Sequence, residues 1–189
     1  MRIIIAAIVG GIIVFVWSAV SHIVTPLGSM GISSLPDAML PSVGVAPASG
    51  MYFFPGMDMS RRPTPAEAKA YDEKVRTGPS GLLVIRKSNG AAMNAATLGS
   101  EFLTNVVAAL IAAMLVSMMI GGWLKRTIAV ALMGAFGIIS LVMSYGIWFG
   151  FPSQYITGEA ITEIVGWFLA GTAIAKIVPP PFTAIAPAR

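Results

Sequence analysis

Residues 156–178 read ITGEAITEIVGWFLAGTAIAKIV. The stretch is apolar over a membrane's thickness, yet it carries Glu159 and Glu163 in its opening turns. Residues four apart share one face of a helix, so the two carboxylates point the same way. The same face continues through Gly166 and Ala170, which are small enough to admit a second helix. The rest of the chain can be placed by what this helix packs against.

Three other segments match it. Residues 3–24, 101–123 and 127–149 are equally apolar, and each of the four has 22 or 23 residues. As helices they measure about 33–35 Å, against a hydrocarbon core of about 30 Å. No strand-like alternation is present, and unpaired backbone polar groups are too costly in lipid, so these spans are expected to be helical. Composition agrees. The 189-residue chain is 56% hydrophobic and 11% charged, with a mean hydropathy of +0.82. A water-soluble domain carries roughly 25% charged residues.

Cysteine is absent, which excludes disulfides, thiolate metal sites and thioether-attached haem. The single histidine, His22, excludes bis-histidine haem ligation within the chain. The net charge of +4 comes from scattered basic residues and does not describe a nucleic-acid surface. There is no phosphate-binding glycine loop, dinucleotide fingerprint, HExxH or serine elbow. No cofactor is expected.

The sequence therefore reads as a membrane all-α protein of four transmembrane helices with a small α/β insertion between the first two. Residues 1–24 form the first span. Ala19-Val20-Ser21 resembles a signal cleavage site, but the segment is read as a retained signal anchor. Residues 25–50, with Pro26, Pro36, Pro41 and Pro47, read as an extended Pro/Gly-rich outer segment. Residues 51–100 read as a small outer α/β domain. In it, MYFF at 51–54 and LLVIRK at 82–87 are strands. Between them Thr64-Pro65-Ala66-Glu67 starts a helix with a capping box, and Gly78-Pro79 ends it. Residues 101–178 hold the last three spans, and 179–189 a cytoplasmic tail.

Charge beside the spans sets the expected orientation. Arg2, Lys125, Arg126 and Lys176 flank one side, and the 150–155 connection has no Lys or Arg. By the positive-inside rule both chain ends face the cytoplasm and the large loop faces outward, the periplasm of a bacterial inner membrane. Seven Lys/Arg in that loop do not oppose this, because long loops translocate largely regardless of charge.

Lipid is as apolar as leucine, so helix association must rest on small residues and interhelical hydrogen bonds. The expected packing positions are Gly10, then Ala109, Ala113, Ser117 and Gly121 at every fourth residue. Gly134, Gly137, Gly166 and Ala170 complete the set.

Five polar residues fall at similar depth on the outer side: His22, Glu101, Asn105, Glu159 and Glu163. They could bind a divalent metal or relay a proton. Glu101 and Glu159 also have a plain structural reading. Each falls at an expected helix start, where the dipole stabilises an anion by about 0.3–1 kcal/mol. Glu163 lies about 10 Å inside the expected helix start at residue 156 and must be paired, protonated or wet. An interhelical hydrogen bond is its structural alternative. Met57 and Met59, near Met51, form a second candidate, since thioethers favour Cu(I); apolar contact is the simpler reading. With His22 and Glu163 they complete the metal candidates. The twofold Glu-x-x-His pattern of carboxylate-bridged dimetal sites is missing. Arg61-Arg62 and Arg86-Lys87 read as solvated charge.

The leading expectation is a non-enzymatic membrane subunit or scaffold, in contact with the lipid bilayer and with other membrane proteins. One rival is an oligomeric channel or transporter with Glu163 and Asn105 along a polar path. The other is a metal-handling membrane protein.

Overall fold

A computed structural model of the chain describes residues 1–58, 60–87 and 93–181. Met59 and residues 182–189, most of the expected tail, lie outside these. The order of elements is α1 (Arg2–Ile23), α2 (Leu40–Gly44), β1 (Gly50–Phe54), α3 (Pro65–Thr77), β2 (Gly81–Ile85), α4 (Ala95–Ser117), α5 (Trp123–Gly137), α6 (Met143–Phe149) and α7 (Ser153–Ile177). A π-helical turn, Ile138–Val142, joins α5 to α6, and Met143 N–H reaches back five residues to the carbonyl of Ile138. Among the described residues four helices are long and apolar enough to cross a membrane: α1, α4, the continuous α5–α6 helix, and α7.

The chain divides into two compact units. The first comprises Met1–Ile32, Ala91–Ser144 and Pro152–Arg189. In it α1 lies between α4 and α7, and α7 lies between α1 and α5; α4 meets α5 and α7 only sparingly. The helices thus form a row, α4–α1–α7–α5, rather than a closed ring. Small residues set the spacing. A Cβ on Gly11 would sit 2.7 Å from the Cα of Val106, so the α1 and α4 backbones touch there. A Cβ on Gly10 would meet Ile174 at 2.8 Å and Ala109 at 3.1 Å. Ala6, Ala109, Ala112, Ala113, Ala170 and Ile174 are fully buried in the resulting core.

Four span boundaries differ from the sequence reading by three residues or more. α4 starts six residues before the expected Glu101, because the Asn94 side chain caps it by accepting from Thr97 N–H. It also ends six residues early, at Ser117. Gly121 therefore falls in the following turn, at φ +142°. α5 begins at Trp123, which puts Lys125 and Arg126 inside its first turn rather than in a loop. α7 begins at Ser153, directly after Pro152. Glu101 and Glu159 consequently lie in second turns, away from the helix starts. Hydropathy marks where apolar residues lie, whereas caps and prolines mark where helices begin.

The 25–50 stretch is not simply extended. Pro26–Ser29 forms a 3₁₀ turn, with the Thr25 hydroxyl accepting from Leu27 N–H, and it packs on α1 and α7. A second 3₁₀ turn, Asp37–Met39, runs into α2. Proline near a helical start explains these turns, since its ring pre-sets φ and its missing N–H has no partner to lose.

The second unit comprises Ser33–Gly90 and Tyr145–Phe151. Here β1 and β2 pair antiparallel, with Tyr52 opposite Leu83. The capping box at α3 is complete: Thr64 Oγ accepts from Glu67 N–H, and Glu67 accepts from Thr64 N–H. Phe53 lies 5.8 Å from the ring of Phe149, which stacks on Tyr145. These aromatic contacts supply apolar cover that a two-stranded ribbon lacks by itself.

Candidate functional site

Because the first unit is a row of helices, a cleft remains between α4 and α5, floored by α7. Its volume is about 390 Å³. Ala108 and Ile111 line it from α4, Met133, Gly134 and Gly137 from α5, and Ile138, Leu141 and Val142 from the π-helical turn. From α7 come Glu159, Glu163 and Trp167. Each wall repeats at three or four residues, as one helix face must. Gly134 fixes the α5–α7 edge, since a Cβ there would lie 2.9 Å from the carbonyl of Glu163 and 2.8 Å from Trp167. Gly137 faces open space, with nothing within 4 Å of a Cβ.

Glu163 has one hydrogen-bond donor among the described residues: Trp167 Nε1–H donates to its Oε2 at 2.9 Å. Glu159 faces His22, with Oε1 3.9 Å from Nε2. The Nδ1 of His22 is 3.0 Å from the carbonyl of Ser18. The hydroxyl oxygen of Ser21 lies at the same 3.0 Å from that nitrogen and also contacts the Ser18 carbonyl. Asn105 is buried and donates from Nδ2 to Glu101 Oε1 at 3.3 Å. Phe102, next to Glu101, meets Phe15 of α1 with ring centroids 5.7 Å apart. The five polar residues singled out in the sequence thus gather at one end of the first unit. Only Glu159 and Glu163 line the cleft.

The opposite end is basic. Arg126 is 2% exposed. Its Nη2 donates to the carbonyls of Val116 (3.2 Å) and Val178 (2.7 Å), and its Nη1 to that of Ala175 (3.2 Å). One guanidinium therefore holds the last turns of α4 and α7, where helix carbonyls lack intrahelical partners. Trp123 Nε1–H donates to Thr172 O at 2.9 Å, and Lys176 Nζ lies 5.5 Å from the Trp123 ring.

The packing candidates have different fates. Gly10, Ala109, Ala113, Gly134 and Ala170 lie in intrachain contacts, and Gly166 lies beneath Trp17, whose Nε1–H donates to Thr162 O at 2.9 Å. Of the α4 stripe only Ala109 and Ala113 are buried, since Ser117 is half-buried and Gly121 lies beyond the helix. Ser117 turns back to donate to Met114 O.

In the second unit Met51 and Met57 share an apolar hollow with Tyr52, Phe53 and Tyr71. Among the described residues no three His, Asp or Glu side chains converge as a metal site. Near α3, Arg61 forms a bidentate contact with Glu67 at 2.6 and 3.0 Å. That guanidinium, then the Thr64 N–H and hydroxyl, pull the Glu67 carboxyl down to about 2.

Sequence reasoning did not single out Trp167 or Arg126. Trp167 stands four residues after Glu163, a spacing that signals such a bond. The carbonyls around Arg126 come from 10, 49 and 52 residues away, which no local pattern reveals. Comparison with protein-family models, curated proteins and solved structures finds no match.

Proposed function

We propose that the chain is a non-enzymatic subunit of a membrane complex, and that a partner's transmembrane segment docks in the α4–α5 cleft. The observation that carries this reading is the open row of helices. A single chain leaves a helix-lined groove that its own elements do not fill. The small-residue stripes do not serve this purpose, since intrachain contacts use most of them. The same reading places the protein in a bacterial inner membrane, with Arg2, Lys125 and Lys176 on the cytoplasmic side and the 33–90 unit in the periplasm. The basic end formed by Arg126, Lys125 and Lys176, opposite the Glu159–Glu163 end, supports that orientation.

Purification in mild detergent tests it. A larger assembly of fixed stoichiometry is expected, and Gly137→Leu should release it while thermal stability stays unchanged. A monodisperse single chain, or an assembly indifferent to Gly137→Leu, removes the reading. The rival path for ions or solutes draws on Glu163, but Asn105 does not line the cleft with it. Flux into liposomes that Glu163→Gln reduces would favour the rival.

A further inference from the structure

We infer that the segment seated in the cleft is a helix carrying one Lys or Arg, whose charged group meets Glu163. This rests on the docking reading above and names the partner's chemistry.

Two independent features point to it. The first is shape. Met133, Gly137 and Leu141 form one row at four-residue spacing, and Glu159, Glu163 and Trp167 form another. Two parallel helical rows with glycine between them accept a third helix by close backbone approach. The second is charge. Glu159 and Glu163 both line the cleft, no Lys or Arg lines it with them, and the single imidazole, His22, faces Glu159. Among the described residues no donor reaches Oε1 of Glu163, and Trp167 serves only Oε2. Arg126 cannot supply the missing cation, since it is bound to helix carbonyls at the far end. A carboxylate at this depth requires a counter-charge, a proton or water. A Lys stem laid along Ile138 and Leu141 would keep its methylenes on apolar surface while its ammonium reached the carboxylate.

The test uses the full chain in lipid nanodiscs and fluorescent leucine-rich transmembrane peptides of about 23 residues. One set carries a single Lys at successive positions along the outer half, and the reference peptide carries none. The Lys peptide placed level with Glu163 should bind on the order of tenfold more tightly than the all-Leu peptide. Glu163→Gln should erase that advantage, and Glu163→Lys should transfer it to a peptide bearing Glu. The charge reversal keeps the test decisive should Glu163→Gln fold poorly. Equal binding of Lys and Leu peptides, both blocked by Gly137→Leu, overturns the charge inference and leaves docking intact. Failure of every peptide to bind overturns both. Glu163-dependent binding of tetraphenylphosphonium without binding of the Lys peptide also overturns the inference, and assigns the cleft to a small lipophilic cation.

Discussion

Glu67 and Glu163 are the same side chain in opposite circumstances. Glu67 sits at the start of α3, partly exposed to water, and receives donors from Nη1 and Nη2 of Arg61, the Thr64 amide and the Thr64 hydroxyl. Glu163 sits in a span and receives one donor among the described residues, Trp167. Partners are worth least where Glu67 has them, because water already solvates that carboxylate and screens its ion pair. They are worth most where Glu163 lacks them. Local chain geometry explains the first case, since every partner of Glu67 lies within six residues. The partners Glu163 needs must come from another helix, and α4 brings only Ala108 and Ile111, both apolar, to the cleft. Arg126 shows that the same unit can give a buried charge three carbonyl acceptors where helix ends converge, although its Nε finds no partner among the described residues.

The largest expected effect breaks that contrast at Arg126. Arg126→Met removes three charge-assisted hydrogen bonds and frees the ends of α4 and α7. Hydrogen bonds to charged groups contribute about 1.5–3 kcal/mol each, and they are not additive here because one group makes them all. A loss of roughly 3 kcal/mol is expected in detergent unfolding. Arg126→Lys should recover only part, because an ammonium cannot span all three carbonyls. Wild-type stability in Arg126→Met would mean that the guanidinium does not hold those ends together.

A smaller effect separates the two glycines of α5. Gly134→Ala drives a methyl into the Glu163 carbonyl and the Trp167 ring, and overpacking of this kind costs about 1–3 kcal/mol. Gly137→Ala meets nothing and should change stability by no more than about 0.5 kcal/mol. Equal cost at the two positions would show the cleft to be closed.

Glu163→Gln sharpens the comparison directly. The amide oxygen keeps the Trp167 bond while the unpaired charge is removed. In the isolated chain, stability should hold or rise by up to about 1 kcal/mol. A marked loss would show that the carboxylate's charge already has a partner within the chain.

These expectations divide along the same line as what could be read before the structure. The capping box at Thr64 and Glu67 was legible because its whole logic lies in four consecutive residues. The four spans were legible by length and apolarity. The bounds of α4 were not, since Asn94 caps it well before the apolar run begins. That displacement carried Lys125 and Arg126 from an expected loop into α5. The gathering of His22, Glu101, Asn105, Glu159 and Glu163 at one end follows from antiparallel spans, so depth alone suggested it. The cleft did not follow, because it depends on which helices are neighbours. The order α4–α1–α7–α5 is set by contacts such as Gly11 on Val106, and small residues on every span left that choice open.

The smallest effect concerns Glu67. Its carboxyl is held near 2 against an ordinary 4.5, first by Arg61 and then by Thr64. A depressed folded value means that the contact stabilises the α3 start above pH 4.5 and is lost as pH falls from 4.5 through about 2. Titration of the Glu67 side-chain carbon by NMR should therefore show a midpoint near 2. Arg61→Ala should raise it only partway to the ordinary value, because the Thr64 amide and hydroxyl still donate. A wild-type midpoint at 4.5 would mean that the bidentate pair is not held in water. Glu67 would then be as poorly partnered as Glu163, and the difference between the two carboxylates would come from solvation alone.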